Sequence, residues 1–131
     1  MIRAFAVAAF LLTASSAEAQ GRRPMSAMEE IDSRCGGPTP VAQQCAARIL
    51  DREDARLNRV YQAALSRMKR PQQDQLRREQ RQWIVDRDEE CDAEYEQGGT
   101  QAGIQATACR AFATQVRADE LERMARSHRP R

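Results

Sequence analysis

Apolar residues along this chain recur at the three- and four-residue steps of a helix. In one stretch they are Leu57, Val60, Tyr61, Ala64, Leu65 and Met68, and in a later one Ile104, Ala108, Cys109, Phe112, Val116, Leu121 and Met124. Such spacing lays apolar side chains along one stripe of a helix. The first stretch predicts a helix from Val41 to Met68. Arg70, as the residue before Pro71, disfavours helical geometry, while Pro71 suits a first helical turn. A second helix is therefore predicted from Pro71 to about Glu96, with Leu76, Gln80, Trp83, Ile84, Arg87, Cys91 and Tyr95 along one side. Gly98 and Gly99 end it, because glycine readily adopts the left-handed conformation past a helix end. Thr100 is a candidate cap for a third helix, which dissolves into the basic tail 126–131. Residues 20–40 hold Gly21, Pro24, Gly36, Gly37, Pro38 and Pro40, and so predict an irregular lead-in. No internal repeat and no useful strand alternation appears. The expected fold class is all-α: an antiparallel helical hairpin plus a third packed helix.

The start of the chain belongs to a different class of segment. Arg3, the apolar run Ala4–Leu12 and the small-residue series ending Ala17-Glu18-Ala19 have the organisation of a cleaved secretory signal peptide. Its apolar run of about nine residues is far short of the roughly 20 needed to span a bilayer. No Cys follows that run, so a lipid-anchored start is not expected. Removal of residues 1–19 leaves 112, with 17 large apolar side chains (Val, Ile, Leu, Phe, Trp, Tyr) beside 15 alanines. That supplies one small domain with a thin core. The expected organisation is a signal peptide at 1–19, a lead-in at 20–40, a helical domain at 41–125 and the tail. The expected location is the periplasm or the extracellular medium.

Export changes the meaning of Cys35, Cys45, Cys91 and Cys109. An even number of cysteines in an oxidising compartment implies two disulfides, and their spacings of 10, 46 and 18 residues are not those of a metal site. If the second turn centres near residue 100, Cys91 and Cys109 stand level on adjacent helices. This favours Cys91 with Cys109 and Cys35 with Cys45. The alternative of Cys45 with Cys91 is about five residues out of register, or roughly 7 Å along a helix axis. The same argument about a turn near residue 70 sets Asp54 opposite Arg87, Asn58 opposite Trp83, and Tyr61 opposite Gln80. It predicts a partly buried Asp54–Arg87 ion pair inside a tight hairpin, with Trp83 as the main anchor of the core.

The series Cys45, Asp54, Leu57-Asn58, Tyr61, Leu76, Gln80, Trp83, Arg87-Asp88, Cys91, Gly98-Gly99-Thr100, Cys109, Thr114, Arg117 and Leu121 resembles the LprI-like lysozyme inhibitor N-terminal domain family. This is a group of small exported bacterial helical domains. The resemblance covers about residues 35–125, and its most specific part is Gln80 to Cys91 followed by the glycine pair. It implies binding and inhibition of a lysozyme-type muramidase. Within it, Asp54, Leu57, Asn58, Tyr61, Gln80, Trp83, Arg87, Gly98 and Gly99 are read as structural motif residues.

Several function classes find no support. The single His128 provides no nucleophile–base set, and neither glycine pair has the spacing of a phosphate loop. Consecutive acids on one helix do not form the opposed carboxylates of a glycosidase. No catalytic residue, cofactor or metal is expected. A formal net charge of +2 gives no general drive toward nucleic acid, and few aromatics accompany the basic residues. Charge is nevertheless uneven. Residues 67–81 hold six basic side chains and two acids, whereas 86–96 hold seven acids and only Arg87. Compensation by neighbouring helix N-termini, Arg48 and Arg52 would account for the acidic end structurally. The functional reading is that Glu89, Glu90, Asp92, Glu94 and Glu96 meet a cationic partner such as a lysozyme. A non-inhibitory envelope interaction or stress-related domain of the same fold is the alternative.

Overall fold

The computed structural model describes residues 24–96 and 98–127, without the side chains of Glu94 and Tyr95. The expected signal peptide, the start of the lead-in and the end of the basic tail lie outside the described residues. Four helices follow one another: α1 (Ala27–Arg34), α2 (Thr39–Leu65), α3 (Arg70–Glu96) and α4 (Ala102–Ser127). The described residues contain no strand, and the fold is all-α.

Helix α1 departs from the irregular lead-in expected at 20–40. Ser26 and Glu29 form a capping box: the Glu29 N–H donates to Ser26 Oγ at 3.2 Å, and the Ser26 N–H donates to Glu29 Oε2 at 2.8 Å. Two otherwise orphaned donors are satisfied in this way. Ile31 buries the inner face, and the α1 segment is fixed by the Cys35–Cys45 disulfide. Arg52 of α2 also grips Glu30 with two parallel bonds of 3.0 and 2.8 Å.

The turn between α2 and α3 is short because Gln73 closes it. Its Nε2 donates to the carbonyls of Leu65 and Met68, both at 3.0 Å, at the end of a helix where carbonyls lack partners. At the next turn, Gly98 and Gly99 have φ of 90° and 93°, the left-handed region that a side chain would strain. Backbone closes this turn: the Ala102 N–H donates to the Gly99 carbonyl at 3.2 Å, and Thr100 makes no side-chain hydrogen bond among the described residues.

Helix α4 organises the packing. Gln43 donates to Thr107 at 2.9 Å, Arg56 to Glu122 at 2.9 Å, and Arg67 to the Ala125 carbonyl at 3.0 Å, so α2 and α4 run parallel. Buried Ala42, Ala46 and Ala64 on α2 and Ala106, Ala111, Ala118 and Ala125 on α4 hold the pair together. Small side chains let two helix backbones approach, which is how a chain with few bulky residues builds a core.

One apolar cluster (Ile31, Ile49, Ala108, Ala111) sits at the disulfide end, and another (Leu57, Leu65, Leu76, Leu121) at the opposite end. Between them lies a polar girdle containing Glu53, Asp54, Arg87 and Thr114. The hairpin of α2 and α3 is not tight along its length. Both helices lean on α4 and leave an open groove of about 490 Å³ between themselves. The register of a hairpin fixes heights along the helices, not their separation, and α4 sets the separation here.

Candidate functional site

Two surfaces bring the predicted residues together. The first is the C-terminal end of α3. Parallel α2 and α4 both begin at this end of the molecule, and their N-termini carry partial positive charge that suits the acids. The Cys91–Cys109 disulfide pins α3 to α4 there, with Cα atoms 5.6 Å apart. Arg110 of α4 pairs with Asp92, and its Nε lies 3.5 Å from Asp88 Oδ1.

That guanidinium is the local counter-charge, in place of the expected Arg48 and Arg52. Arg52 is turned away to Glu30 and Glu53, and Arg48 makes no ion pair among the described residues. Arg110 lies one residue after Cys109, so the disulfide register itself could have pointed to it. Glu89, Glu90 and Glu96 are exposed and make no ion pair among the described residues. Glu94 continues the helix, with its side chain outside the described residues.

Glu90 also lines a shallow depression of about 250 Å³ with Met28, Trp83, Phe112, Val116, Arg117 and Glu120. Phe112 and Val116 were expected on the core face of the third helix, but remain about two-fifths exposed. The core face of α4 is instead taken by its alanines, Thr114 and Leu121. Contiguous exposed apolar groups with a polar rim are characteristic of interaction surfaces. Met28 contributes from α1, the helix that composition did not reveal.

The second surface is the groove between α2 and α3. Asp54, Leu57, Asn58 and Tyr61 form one wall, and Gln80, Trp83 and Arg87 lie on the other. The predicted heights hold, but these residues face each other across a cleft and do not interlock in a closed seam. Trp83 is half-buried in the groove wall, not a central core anchor. The Arg87 guanidinium lies 5.1 Å from the Trp83 ring centroid and that of Arg117 lies 6.0 Å away, both within cation–π range. Arg87 Nη1 also reaches Asp54 Oδ1 at 3.3 Å, so the expected pair forms. The Arg87 side chain is 13% exposed and that of Asp54 44%, so the pair is partly buried, as expected, with Asp54 on the groove rim.

Comparison with protein families matches residues 35–121 to "Lysozyme inhibitor LprI". The chain belongs to the LprI lysozyme inhibitor family. No curated protein and no solved structure matches it. The LprI match covers α2, α3 and most of α4, together with both disulfides, the groove and the acidic end of α3, but not Met28 of α1. Among the described residues, no LprI-domain helix is long and apolar enough to cross a membrane, and no cluster of His, Cys, Asp and Glu is arranged to hold a metal ion.

Proposed function

We propose that the protein is exported on cleavage of residues 1–19, reaches the periplasm or the medium, and binds a cationic lysozyme-type muramidase there. It blocks the enzyme by occupying its surface, without catalysis and without a cofactor. It does not bind nucleic acid and is not stably inserted in a membrane once the signal is cleaved. Family membership supports the class of target.

The observation that carries the binding surface is the position of Glu90. It borders the apolar depression formed by Met28, Phe112 and Val116, near the exposed Glu89 and Glu96, which make no ion pair among the described residues. The depression is also lined by Arg117, which is paired with Glu120, so the carboxylates left to meet a basic protein are Glu90 and its neighbours; apolar contact supplies affinity while complementary charge speeds and orients encounter. Asp92 and Glu94 extend the same acidic end, although Asp92 is shared with Arg110.

The test is a cell-wall lysis assay with purified, oxidised protein against a panel of lysozymes. Stoichiometric inhibition of at least one supports the proposal. Absence of both inhibition and binding across the panel would make the chain a non-inhibitory envelope domain of the same fold.

A further inference from the structure

The groove between α2 and α3 shares Trp83 with the depression beside Glu90, but its other lining residues lie outside the proposed muramidase contact. We propose that it binds a short saccharide bearing a carboxylate, with a sugar ring against Trp83 and the carboxylate on Arg81. Gln80 provides the first argument. It is 8% exposed, and its Oε1 accepts from Arg117 Nε at 3.0 Å. A guanidinium can only donate, so this bond fixes which way the Gln80 amide points. Its Nε2 donor then has no hydrogen-bond partner among the described residues, and Gln80 lines the groove.

Arg81 provides the second. Arg77 is occupied by Asp74 and Gln73, and Arg87 by Asp54, Asp88 and Thr114. Arg81, also on the groove wall, is exposed and makes no ion pair among the described residues. An uncommitted guanidinium is suited to a carboxylate.

Across the groove, the Asn58 amide and the Tyr61 hydroxyl likewise have no hydrogen-bond partner among the described residues. Both walls are helices whose backbone groups are already paired, so an extended peptide finds no ladder to join. A saccharide needs only what the groove offers: an aromatic face for its C–H surface, and planar amide, carboxylate and guanidinium groups for its hydroxyls. The volume of about 490 Å³ falls within the ordinary range of small-ligand clefts.

Trp83 is the only tryptophan of the chain and lines both the groove and the depression beside Glu90, so its emission reports on the groove when read together with the effect of Arg81→Ala. The oxidised protein is titrated with the disaccharide of N-acetylglucosamine and N-acetylmuramic acid. Neutral chitobiose and the dipeptide Ala-Glu serve as comparisons. The expected result is a saturable change in Trp83 emission and in its indole ¹H–¹⁵N resonance with the acidic disaccharide. Chitobiose, and the acidic disaccharide with Arg81→Ala, should bind about tenfold more weakly, as loss of one charge-assisted hydrogen bond implies. Arg81→Ala should melt like the wild type, and Asn58→Ala should weaken binding as well. No saturable response in either signal overturns the proposal. So does equal binding of chitobiose or Ala-Glu, or full affinity in Arg81→Ala.

Discussion

Arg87 Nη1 donates to Thr114 Oγ1 at 3.0 Å, joining α3 to the centre of α4 at a hydroxyl with no solvent exposure. The Thr114 hydroxyl in turn lies 3.4 Å from Asp54 Oδ1 on α2, so three helices meet at one small polar knot. Thr114→Val keeps the shape and deprives a largely buried guanidinium of a partner. It should cost about 1–3 kcal/mol in urea unfolding. Asp54→Asn removes only the rim partner and should cost less than about 1 kcal/mol. An equal effect of the two substitutions would mean that the knot does not join the helices as described.

The disulfides close loops of different lengths, with sequence separations of 10 and 18. On the chain-entropy view, each contributes about 3 kcal/mol, slightly more for the longer loop. Replacing Cys91 and Cys109 together by Ala should lower the urea midpoint more than replacing Cys35 and Cys45. The second pair tethers α1, which Ile31 and the Arg52–Glu30 contact also hold. The reverse order would show that α1 depends on its covalent tether more than its packing suggests.

Glu30 links α1 docking to pH. The hydrogen bond from Arg52 holds its carboxyl below the ordinary value of 4.5, against an opposing effect of burial, and the charges of Arg52 and Arg34 add to the lowering. A depressed folded-state value means that the stabilisation is complete above 4.5 and is lost as pH falls through the lower folded value. Acid titration of thermal stability should therefore be shallower in Glu30→Gln than in the wild type below that pH. Parallel acid limbs would show that the contact with Arg52 contributes nothing to stability.

Much of this arrangement was readable from the sequence, for identifiable reasons. Pro71 and the glycine pair place the turns, and two turns with helical spacing are enough to set Cys91 beside Cys109 and Asp54 beside Arg87. Helix α1 was obscured by the surrounding Gly and Pro residues, although Ser26 and Glu29 carry the spacing of a capping box. The parallel seam of α2 and α4 rests on alanines, which barely modulate an apolar pattern. For that reason the groove, and the position of Trp83 on its wall, could not be foreseen. Exposure of Phe112 and Val116 follows from the same cause, since Ala111, Thr114 and Ala118 already occupy the inner face of α4.

The acidic end of α3 is the centre of the functional account, and it is tested most directly by charge reversal. Glu89→Lys, Glu90→Lys and Glu96→Lys combined alter three carboxylates that make no ion pair among the described residues, so the fold should be retained. Inhibition of a sensitive basic lysozyme is measured for this variant and the wild type over a range of salt concentrations, with circular dichroism as the check on folding. The wild type should inhibit, and should weaken as salt rises. The folded variant should lose most of its inhibition and its salt dependence. Undiminished, salt-insensitive inhibition by the folded variant would contradict the assignment of this end of the molecule as the muramidase-binding surface.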